Sequence, residues 1–477
     1  MLLIRPIQAA LLKASVIAIL TSAIGTTFAE GEAKRPANVI VIVTDDMGYQ
    51  DLGVTGLQDF ETPQMDGLAK DGIRFTDGYV SASVCCPSRA GLLTARYQQR
   101  FGHEFNNFAV LEPGFTKADL GLDPGEKTIG DAMRAVGYRT LCVGKWHMGS
   151  GEAYHPLHRG FDECYSIDSG NRSYFPYKND AGRSVRIQRN RDLVPEEEID
   201  YVTDSLTDAT VNWIGENRDT PFFIYLAYTA PHTPMHGKKE DIEQMKRIRD
   251  KNRRIYAAMM KSLDEGIGRI RGKLDELGLT RDTLILFVND NGGATNNGSD
   301  NGRYRGMKGS KWEGGIRVPF FATWPGTLPA GKTFSHPVIS LDILPTAVAA
   351  SGKSYESAKP LDGVNLLPYL LREKEGEPHD VLFWRRGVAA AARMGSWKLL
   401  RVEGNEDLLF DLSKDPGERR NLARSEPGKL AKLKSLLSEW EKDLGPPKWT
   451  EGAKWEKNQV MKHRPEVDTR AKERKYP

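Results

Sequence analysis

The sequence has few cysteines and lacks a long apolar run beyond its N-terminus, and both shortages limit what the chain can be. Four cysteines in 477 residues are too few for a disulfide scaffold, so a hydrophobic core must hold the fold. Whether Cys142 and Cys164 pair stays open. With 39% hydrophobic and 27% charged residues, the chain is neither disordered nor fibrous.

A strong surplus of charge is also missing. Arg5 and Lys13 precede an apolar stretch, residues 14–25, and small residues follow as far as Ala29, which is the pattern of a secretory signal. We expect cleavage after Ala29 and a secreted or periplasmic protein. The alternative is a membrane anchor, but the stretch is shorter than the roughly 20 residues that a spanning helix needs. Loss of Arg5 and Lys13 takes the formal charge from +3 to +1, which excludes a charge surplus for nucleic-acid binding.

Four short apolar runs, each followed by polar residues and glycine, predict the buried strands of an α/β sheet. They are residues 38–43, 139–143, 222–227 and 283–288. Ligands of such sheets bind beyond the carboxyl ends of the strands. The residues that directly follow each run are therefore the candidates for chemistry.

Acidic and amide side chains follow the first and the fourth run. Asp45 and Asp46 come after the first, and Asp290 and Asn291 after the fourth. Such residues commonly start turns or cap helices, and for either pair alone this is the better interpretation. Two pairs at equivalent strand ends favour a hard divalent ion, calcium or magnesium, because their ligands are all oxygens.

One run joins a thiol, a proline and two arginines within twelve residues, from Cys85 to Arg96 (Cys-Cys-Pro-Ser-Arg-Ala-Gly-Leu-Leu-Thr-Ala-Arg). Pro87 suits the first turn of a helix, so we expect Cys85 at the helix N-terminus, where unpaired N–H groups favour an anion. Arg89 adds positive charge. We interpret the run as the nucleophile segment of a hydrolase; the alternative is a helix start with two small buried cysteines.

Further segments carry cations and histidines at corresponding places. The second strand leads into Lys145 and His147, and the third leads into His232. A lone histidine is usually a structural group, but two at strand ends opposite a nucleophile favour catalysis. Lys308 lies in a basic, glycine-rich stretch, residues 303–319, which is either a solvated loop or a backbone that approaches a tetrahedral oxyanion.

Together these segments resemble the type I, formylglycine-dependent sulfatases of the alkaline-phosphatase-like superfamily, in particular its arylsulfatase and N-acetylgalactosamine-6-sulfatase members. The resemblance covers about residues 36–423, with the motifs in the expected order; Ala95 stands where glycine is usual. The motifs are Asp45-Asp46-x-Gly-x-x-Asp-Leu-Gly, Cys85 to Arg96, Gly144-Lys-Trp-His-x-Gly, Pro231-His-x-Pro, Asp290-Asn-Gly and Trp312-Glu-Gly-Gly-x-Arg-x-Pro. The resemblance implies an α/β fold with a large mixed, mainly parallel sheet flanked by helices and a smaller C-terminal α+β domain.

The resemblance also implies the chemistry. A host maturation enzyme would oxidise Cys85, rather than Cys86, to formylglycine (3-oxoalanine). The ligands of one calcium ion, favoured over magnesium, would be Asp45, Asp46, Asp290 and Asn291. The cations that neutralise the sulfuryl group during attack by the hydrated aldehyde would be Arg89, Lys145 and Lys308. His232, with help from Lys308, would protonate the leaving alcohol, and His147 would be the base that releases sulfate.

The predicted activity is the hydrolysis of sulfate monoesters, and since export suggests an extracellular polymer or its fragments, sulfated saccharides are the natural candidates for the substrate. Residues 100–107 and 171–178 mix aromatic and polar groups, and His103, Arg172 and Tyr174 are the candidates for sugar binding. Two alternatives stay open. One is a phosphonate or phosphodiester hydrolase of the same superfamily, and the other is a sulfated-glycan-binding protein without turnover.

The predicted domain organisation has four parts. Residues 1–29 form the signal peptide, 30–355 the catalytic α/β domain, 356–445 a smaller domain and 446–477 a charged tail. In the smaller domain, residues 393–400 and 407–411 are predicted strands and 427–444 a predicted amphipathic helix. The tail carries nine lysines and arginines against five acidic residues. It is predicted to be exposed; a guide for anionic polysaccharide is the alternative.

Overall fold

The computed structural model describes residues 36–107, 110–177, 185–294 and 296–464. The signal peptide that we expect in residues 1–29 lies outside these ranges. No helix within them is long and apolar enough to cross a membrane.

The strands of the described ranges are numbered here in chain order. They are β1 Asn38–Thr44, β2 Ile73–Phe75, β3 Gly78–Tyr79, β4 Val110–Leu111, β5 Arg139–Lys145, β6 Glu163–Ile167, β7 Gln188–Arg189, β8 Asp192–Leu193, β9 Phe222–Ala227, β10 Thr283–Asn289, β11 Phe320–Thr323, β12 Lys332–Phe334, β13 Val338–Ile339, β14 Leu382–Arg386, β15 Ala389–Met394, β16 Trp397–Val402, β17 Leu408–Asp411 and β18 Trp449–Thr450.

The α-helices are numbered in the same way. They are α1 Pro63–Lys70, α2 Cys85–Thr94, α3 Ile129–Ala135, α4 Val202–Glu216, α5 Lys239–Gln244, α6 Lys251–Glu276, α7 Glu313–Ile316, α8 Ile343–Ala350, α9 Leu367–Leu370, α10 Pro427–Lys442 and α11 Ala453–Lys462.

Five parallel strands form the centre of a ten-stranded sheet, in the order β10, β1, β9, β5 and β6. The four predicted apolar runs are four of these five strands. On one side β11 and β2 add antiparallel pairings, followed by β12, and on the other side the short strands β7 and β8 extend the sheet. The predicted class, α/β with a large mixed and mainly parallel sheet, is confirmed.

Both faces of the sheet are buried because successive side chains of each central strand point to opposite sides. Val41 of β1 belongs to the core that contains residues of α2, α3 and α8. Ile42, its neighbour in sequence, belongs to the core that contains residues of α1, α4 and α6. This layering explains why the central strands are continuous apolar runs rather than alternating ones.

A four-stranded antiparallel sheet, β14 to β17, forms the smaller C-terminal domain. Helix α10 packs on it through Leu433, Leu437 and Trp440, which are all buried, so the predicted amphipathic helix is confirmed. The single strand predicted over residues 393–400 is wrong. This segment crosses the turn between β15 and β16, where Gly395 has a φ of 55°, so the two halves belong to different strands. The exact domain boundaries stay a prediction.

The segment after residue 446 differs from the predicted exposed tail. Strand β18 pairs with β4, and the side chain of Trp449 is completely buried. Helix α11 follows, and His463, directly after it, is only 1% exposed. Apolar and aromatic anchors therefore hold residues 449–463 against the rest of the fold despite their high charge.

Candidate active site

The carboxyl ends of four neighbouring strands bring the predicted groups to one edge of the sheet. Asp45 follows β1, Lys145 ends β5, His232 lies in the loop after β9 and Asp290 follows β10. Because β10, β1, β9 and β5 are adjacent and parallel, these loops meet in space. The residues that follow these four strands therefore form one site.

Cys85 begins helix α2 and faces this edge. The preceding residue, Val84, has extended backbone angles, and the helix starts at Cys85. The Sγ atom lies 3.0 Å from Nζ of Lys308 and 3.6 Å from Oδ1 of Asp45. Burial raises the pKa of the Cys85 thiol to about 12, although Lys145 and Lys308 oppose the shift. The unmodified side chain is therefore a neutral thiol rather than a reactive thiolate.

Cys86 lies differently from its neighbour. Its side chain is completely buried, and its Sγ contacts Nε2 of His103 at 2.9 Å and the carbonyl oxygen of His147 at 3.1 Å. Cys85 lines the cavity, whereas Cys86 packs below it. Of the two cysteines in the run, only Cys85 is placed to meet a substrate.

Two ammonium groups, one buried and one partly exposed, neutralise the acidic cluster. Nζ of Lys145 lies 2.6 Å from Asp45, and Nζ of Lys308 lies 2.7 Å from Asp46. Burial alone would lower the pKa of each lysine, but Asp45 and Asp46, respectively, hold these pKa values above the ordinary lysine value. Both lysines therefore stay positively charged at neutral pH.

The predicted oxygen ligands converge in the same place. The backbone N–H of Asp46 lies 3.4 Å from Oδ1 of Asp290, and Nδ2 of Asn291 donates to Oδ1 of Asp46 at 2.7 Å. Burial and the charge of Asp45 raise the pKa of Asp290 to about 7, although Arg89 and Lys145 oppose the shift. The Oδ1 atom of Asn291 is buried, and no partner for it is found within the described ranges. Three carboxylates and one unsatisfied amide oxygen fit a hard divalent cation.

Arg89 lies behind the acidic cluster rather than in the cavity. Its guanidinium donates to Asp290 at 3.0 Å and to the carbonyl oxygen of Lys145 at 3.0 Å, and it is fully buried. These bonds fix the positions of Asp290 and the end of β5. Arg89 does not line the cavity, so these bonds indicate a positioning role, and the predicted neutralisation of the sulfuryl group by Arg89 stays a prediction.

Two histidines flank the cavity with defined orientations. Nδ1 of His232 lies 2.6 Å from the carbonyl oxygen of Thr233, so it carries a proton that it donates, and Nε2 faces Asp46 at 3.5 Å. Burial lowers the pKa of His232 even though Asp45 and Asp46 oppose the shift. Burial, together with the cations Lys145 and Arg89, lowers the pKa of His147 well below its usual value. His147 is therefore a neutral imidazole.

Two residues of the site have a strained backbone. Asp46 and His147 have φ values of 64° and 59°, a region that residues other than glycine rarely adopt. Gly144 has a φ of 88°, and a Cβ atom there would lie 2.0 Å from the carbonyl oxygen of Ala227. Gly170 leaves room for His147, because an added Cβ would approach the imidazole Cε1 to 2.8 Å. The fold holds these residues in conformations that only the surrounding contacts maintain.

A cavity of about 520 Å³ opens above Cys85. Predicted site residues in its lining are Asp46, Cys85, Lys145, His147, His232 and Lys308. Sequence reasoning missed the lining residues Asn106, Asn171, Asn296, Glu451, Trp455 and Lys462. Asn106 and Asn171 lie in the two segments predicted to contact sugar. The mix of aromatic and polar residues therefore indicated the correct segments but not the residues that line the cavity.

The three residues predicted to hold sugar are buried elsewhere. His103 contacts Cys86, and burial lowers its pKa to about 3. Arg172 pairs with Glu196 at 2.8 Å, and the hydroxyl of Tyr174 donates to the carbonyl oxygen of Thr229 at 2.6 Å. None of the three lines the cavity, so in this structure they support the loops around it.

The chain is similar to known proteins over most of its length. A family model described as Sulfatase matches residues 37–353. N-acetylgalactosamine-6-sulfatase of Mus musculus is 32% identical over 412 residues, 82% of this chain and 76% of that protein. Arylsulfatase A of Homo sapiens is 33% identical over 464 residues, 84% of this chain and 87% of that protein. The crystal structure of Ps i-CgsB in complex with k-i-k-neocarrahexaose has a TM-score of 0.81 at 35% identity and covers 91% of this chain and 98% of that one.

Proposed function

Since the chain belongs to the sulfatase family, whose members hydrolyse sulfate esters, we propose that it removes sulfate from saccharides through a formylglycine formed from Cys85. The observation that carries the proposal is the environment of Cys85. Its side chain lines the cavity 3.0 Å from the ammonium of Lys308 and beside the acidic cluster of Asp45 and Asp46.

The names of similar proteins support a sulfated sugar as the substrate. The murine relative is named for N-acetylgalactosamine 6-sulfate, and the structure of Ps i-CgsB holds a neocarrahexaose. The cavity suits such a ligand because asparagines, lysines and one tryptophan line it. We therefore propose a sulfated saccharide, without assigning the ring or the sulfate position.

The modification of Cys85 is needed for turnover in this proposal. When formed, formylglycine supplies a hydrated aldehyde, one hydroxyl of which attacks sulfur while the other permits the later release of sulfate. A buried neutral thiol offers no second hydroxyl. The proposal accordingly includes a host enzyme that oxidises Cys85, and export directed by residues 1–29.

We propose calcium as the metal, held by Asp45, Asp46, Asp290 and Asn291. When bound, the ion supplies Lewis-acid polarisation of oxygen. The unsatisfied Oδ1 atom of Asn291 and the all-oxygen donor set support this choice, although both also suit magnesium. Arg89 holds Asp290 from behind and thereby keeps the ligand set in place.

Lys145 and Lys308 are the proposed binders of the sulfate group. Both ammonium groups line the cavity, on the same side as Cys85, and their carboxylate partners keep them charged. Fixed cations in a site that excludes water stabilise a group whose negative charge moves during the reaction. The two lysines therefore orient the sulfate and neutralise it while the ester bond breaks.

His232 and His147 are the proposed proton carriers. Thr233 fixes the Nδ1–H of His232, so Nε2 is the ring nitrogen that would take up a proton and pass it to the leaving alcohol oxygen. The neutral imidazole of His147 is suited to accept a proton when sulfate is released. Lys308 assists His232, because both contact Asp46.

Mass spectrometry of the peptide that carries Cys85 tests the proposal, on protein made in a host with the maturation enzyme. We expect formylglycine at Cys85 in the unsubstituted protein and in Cys86→Ala, the matched control, and no turnover of an aryl sulfate by Cys85→Ala.

Two results would contradict the proposal. Aryl sulfate turnover by protein whose Cys85 remains a thiol, while a control sulfatase is converted in the same host, would refute the formylglycine. Faster turnover of an aryl phosphonate than of the aryl sulfate would instead identify a phosphonate hydrolase.

A further inference from the structure

We propose that residues 449–463 build a saccharide subsite beside the sulfate pocket, in which Trp455 stacks on a sugar ring and Lys462 binds a second anionic group of the substrate. The inference rests on the proposed function and concerns the part of the substrate beyond the reacting ester. Both side chains line the same cavity as Cys85 and Lys308.

The first half of this segment is fixed to the large domain by Trp449. Strand β18 pairs in antiparallel register with β4, Trp449 opposite Leu111. The indole Nε1 of Trp449 donates to the carbonyl oxygen of Asn106 at 2.9 Å, and Asn106 itself lines the cavity. The segment is thus tied to the rim of the site rather than lying loosely on the surface.

The second half is fixed to the loop that carries Lys308. Nε2 of His463 accepts a hydrogen bond from the backbone N–H of Lys311 at 2.8 Å. The indole of Trp312 donates to the carbonyl oxygen of Lys462 at 3.1 Å. These bonds hold helix α11 over the loop, so its inner side chains keep a fixed distance from the reacting groups.

Trp455 presents an aromatic surface to the cavity. Its side chain is 40% exposed, which is unusual for a tryptophan on a helix anchored at both ends. The guanidinium of Arg386 and the ammonium of Lys462 lie 5.3 and 5.5 Å from the ring centroid. An exposed indole with its orientation fixed in this way is a platform on which the apolar face of a pyranose ring can stack.

Lys462 places an uncompensated positive charge beside that platform. In the described part of the chain, Glu451 pairs with Arg386, and no carboxylate lies within ion-pair distance of the Lys462 ammonium. Burial and the nearby Arg386 lower the pKa of Lys462, Glu451 opposes the shift, and Lys308 adds to it, so cations outnumber carboxylates around this ammonium. An anionic group of the substrate would remove that excess through a charge-assisted hydrogen bond.

The ligand that fits both features is an oligosaccharide with a second sulfate or a carboxylate near the reacting ester. A monosaccharide with one sulfate satisfies Lys145 and Lys308 but leaves Lys462 without a partner. Discrimination between these two kinds of ligand is therefore the property that the subsite should produce.

Calorimetric titration of the full-length Cys85→Ala protein tests the inference without relying on turnover. The probes are neocarrahexaose, a hexasaccharide that alternates N-acetylgalactosamine 6-sulfate with glucuronate, and the monosaccharide N-acetylgalactosamine 6-sulfate. In this background, Trp455→Ala should weaken binding of a hexasaccharide on the order of tenfold. Lys462→Met should weaken it by a similar factor and leave the monosaccharide unaffected.

A matched tryptophan and lysine pair serves as the control. Lys429 lies 3.7 Å from the ring centroid of Trp397 in the smaller domain, and neither residue lines the cavity. Trp397→Ala and Lys429→Met should leave hexasaccharide binding unchanged. Trp455→Phe keeps an aromatic surface and should retain most of the affinity, and thermal unfolding of each variant checks that it is folded.

The binding results for the Trp455 and Lys462 variants either support or overturn the proposed subsite. A loss at Lys462→Met with neocarrahexaose identifies the second group as sulfate, and a loss only with the glucuronate-containing probe, retained when its carboxylates are the only anionic groups beyond the reacting sulfate, identifies it as carboxylate. Unchanged affinity in Trp455→Ala and Lys462→Met, or no binding of either hexasaccharide, overturns the inference. Turnover of an aryl sulfate by protein with an intact Cys85 is measured separately, so failure of the subsite and failure of the proposed function are distinguishable.

Discussion

A buried ion cluster between the two domains provides the sharpest test of how the structure is held together. Nζ of Lys398, on β16 of the smaller domain, lies 2.8 Å from both Glu313 and Glu418. Glu313 also accepts hydrogen bonds from Tyr79 at 2.6 Å and from Arg317 at 3.1 Å. The side chains of Lys398, Glu313 and Glu418 are completely buried, so water cannot replace a lost partner.

The two glutamates differ in their protonation. Burial favours the neutral form of both, but Lys398 and Arg317 hold the pKa of Glu313 at about 2, below the ordinary value of 4.5. Burial raises the pKa of Glu418 to about 7, and its contact with Lys398 does not overcome the shift. Glu313 is therefore charged at neutral pH, whereas Glu418 takes up a proton easily.

The perturbation is Glu313→Gln, with Glu418→Gln as the matched variant. Removing the charge of Glu313 leaves Lys398 with Glu418 alone, while Arg317 keeps its pair with Asp77 at 2.8 Å. Breaking the buried pair between Lys398 and Glu313 in this way costs about 3–5 kcal/mol of unfolding free energy. Glutamine at position 418 resembles the protonated form that the site already accepts. We expect it to cost about 1 kcal/mol or less at pH 7.

The pH dependence separates the two carboxyls further. The stabilisation from Glu313 is present above its unfolded pKa and is lost as pH falls through about 2. The contribution of Glu418 to stability changes with pH in the opposite direction, because the pKa of Glu418 is higher in the folded than in the unfolded protein. Its stabilisation is complete below about 4.5 and is lost as pH rises through about 7. Glu418→Gln should therefore flatten the decline in stability between pH 5 and 8.

Urea unfolding followed by tryptophan fluorescence at several pH values measures both effects. The midpoint should shift strongly for Glu313→Gln and little for Glu418→Gln at pH 7. Equal losses in the two variants, or an unchanged slope between pH 5 and 8 in Glu418→Gln, would refute the assignment of charge within the cluster.

Three further outcomes follow from the site and the core. Asn291→Ala should weaken calcium binding tenfold or more in a calorimetric titration, because it removes the unsatisfied amide oxygen; unchanged affinity would exclude Asn291 as a ligand. Lys145→Ala should lower kcat for an aryl sulfate about 100-fold or more, and a kcat near that of the parent enzyme would exclude it from sulfate stabilisation. Cys142 and Cys164 are free and lie opposite each other on β5 and β6. Thiol labelling of the unreduced, denatured protein should modify both, and resistance to labelling would indicate a disulfide.

The central sheet and the groups around Cys85 were predictable because short segments of sequence determine both the strands and the residues that follow them. A parallel strand brings its carboxyl end to the common edge, so residues directly after β1 or β10 need no long-range information to be placed there. Asp45 and Asp290 follow their strands within two residues, and the structure brings them to the same cluster. The predicted strands differ from β1, β5, β9 and β10 by no more than two residues at either end.

The edges of the sheet were not predictable in the same way. Strands such as β7 and β8 have two residues each, and their pairing depends on neighbours rather than on an apolar pattern. The hairpin between β15 and β16 was missed because apolar residues flank its turn on both sides. Gly395 is the signal that marks this turn, since its φ of 55° suits glycine.

Composition failed for the sugar-binding candidates because it does not distinguish an exposed polar group from a buried one with partners. His103 and Tyr174 look suited to bind sugar, but both are buried, and Cys86 and Thr229 contact Nε2 of His103 and the hydroxyl of Tyr174, respectively. Whether such a residue is exposed or buried depends on the packing of segments that are distant in sequence. Conversely, Asn106 lies three residues from His103 and lines the cavity.

The C-terminal segment shows why substrate recognition is harder to predict than reaction chemistry. Its net positive charge suggested an exposed tail, but an average over 32 residues hides single anchors such as Trp449 and His463. Most of the reacting groups, such as Asp45 and Lys145, lie at the ends of core strands, where most substitutions would disturb the sheet. Trp455 and Lys462 lie on a peripheral helix, whose inner side chains can change while the core remains intact. If the proposed subsite exists, a change in saccharide preference therefore requires substitutions only in α11, and the chemistry at Cys85 is preserved.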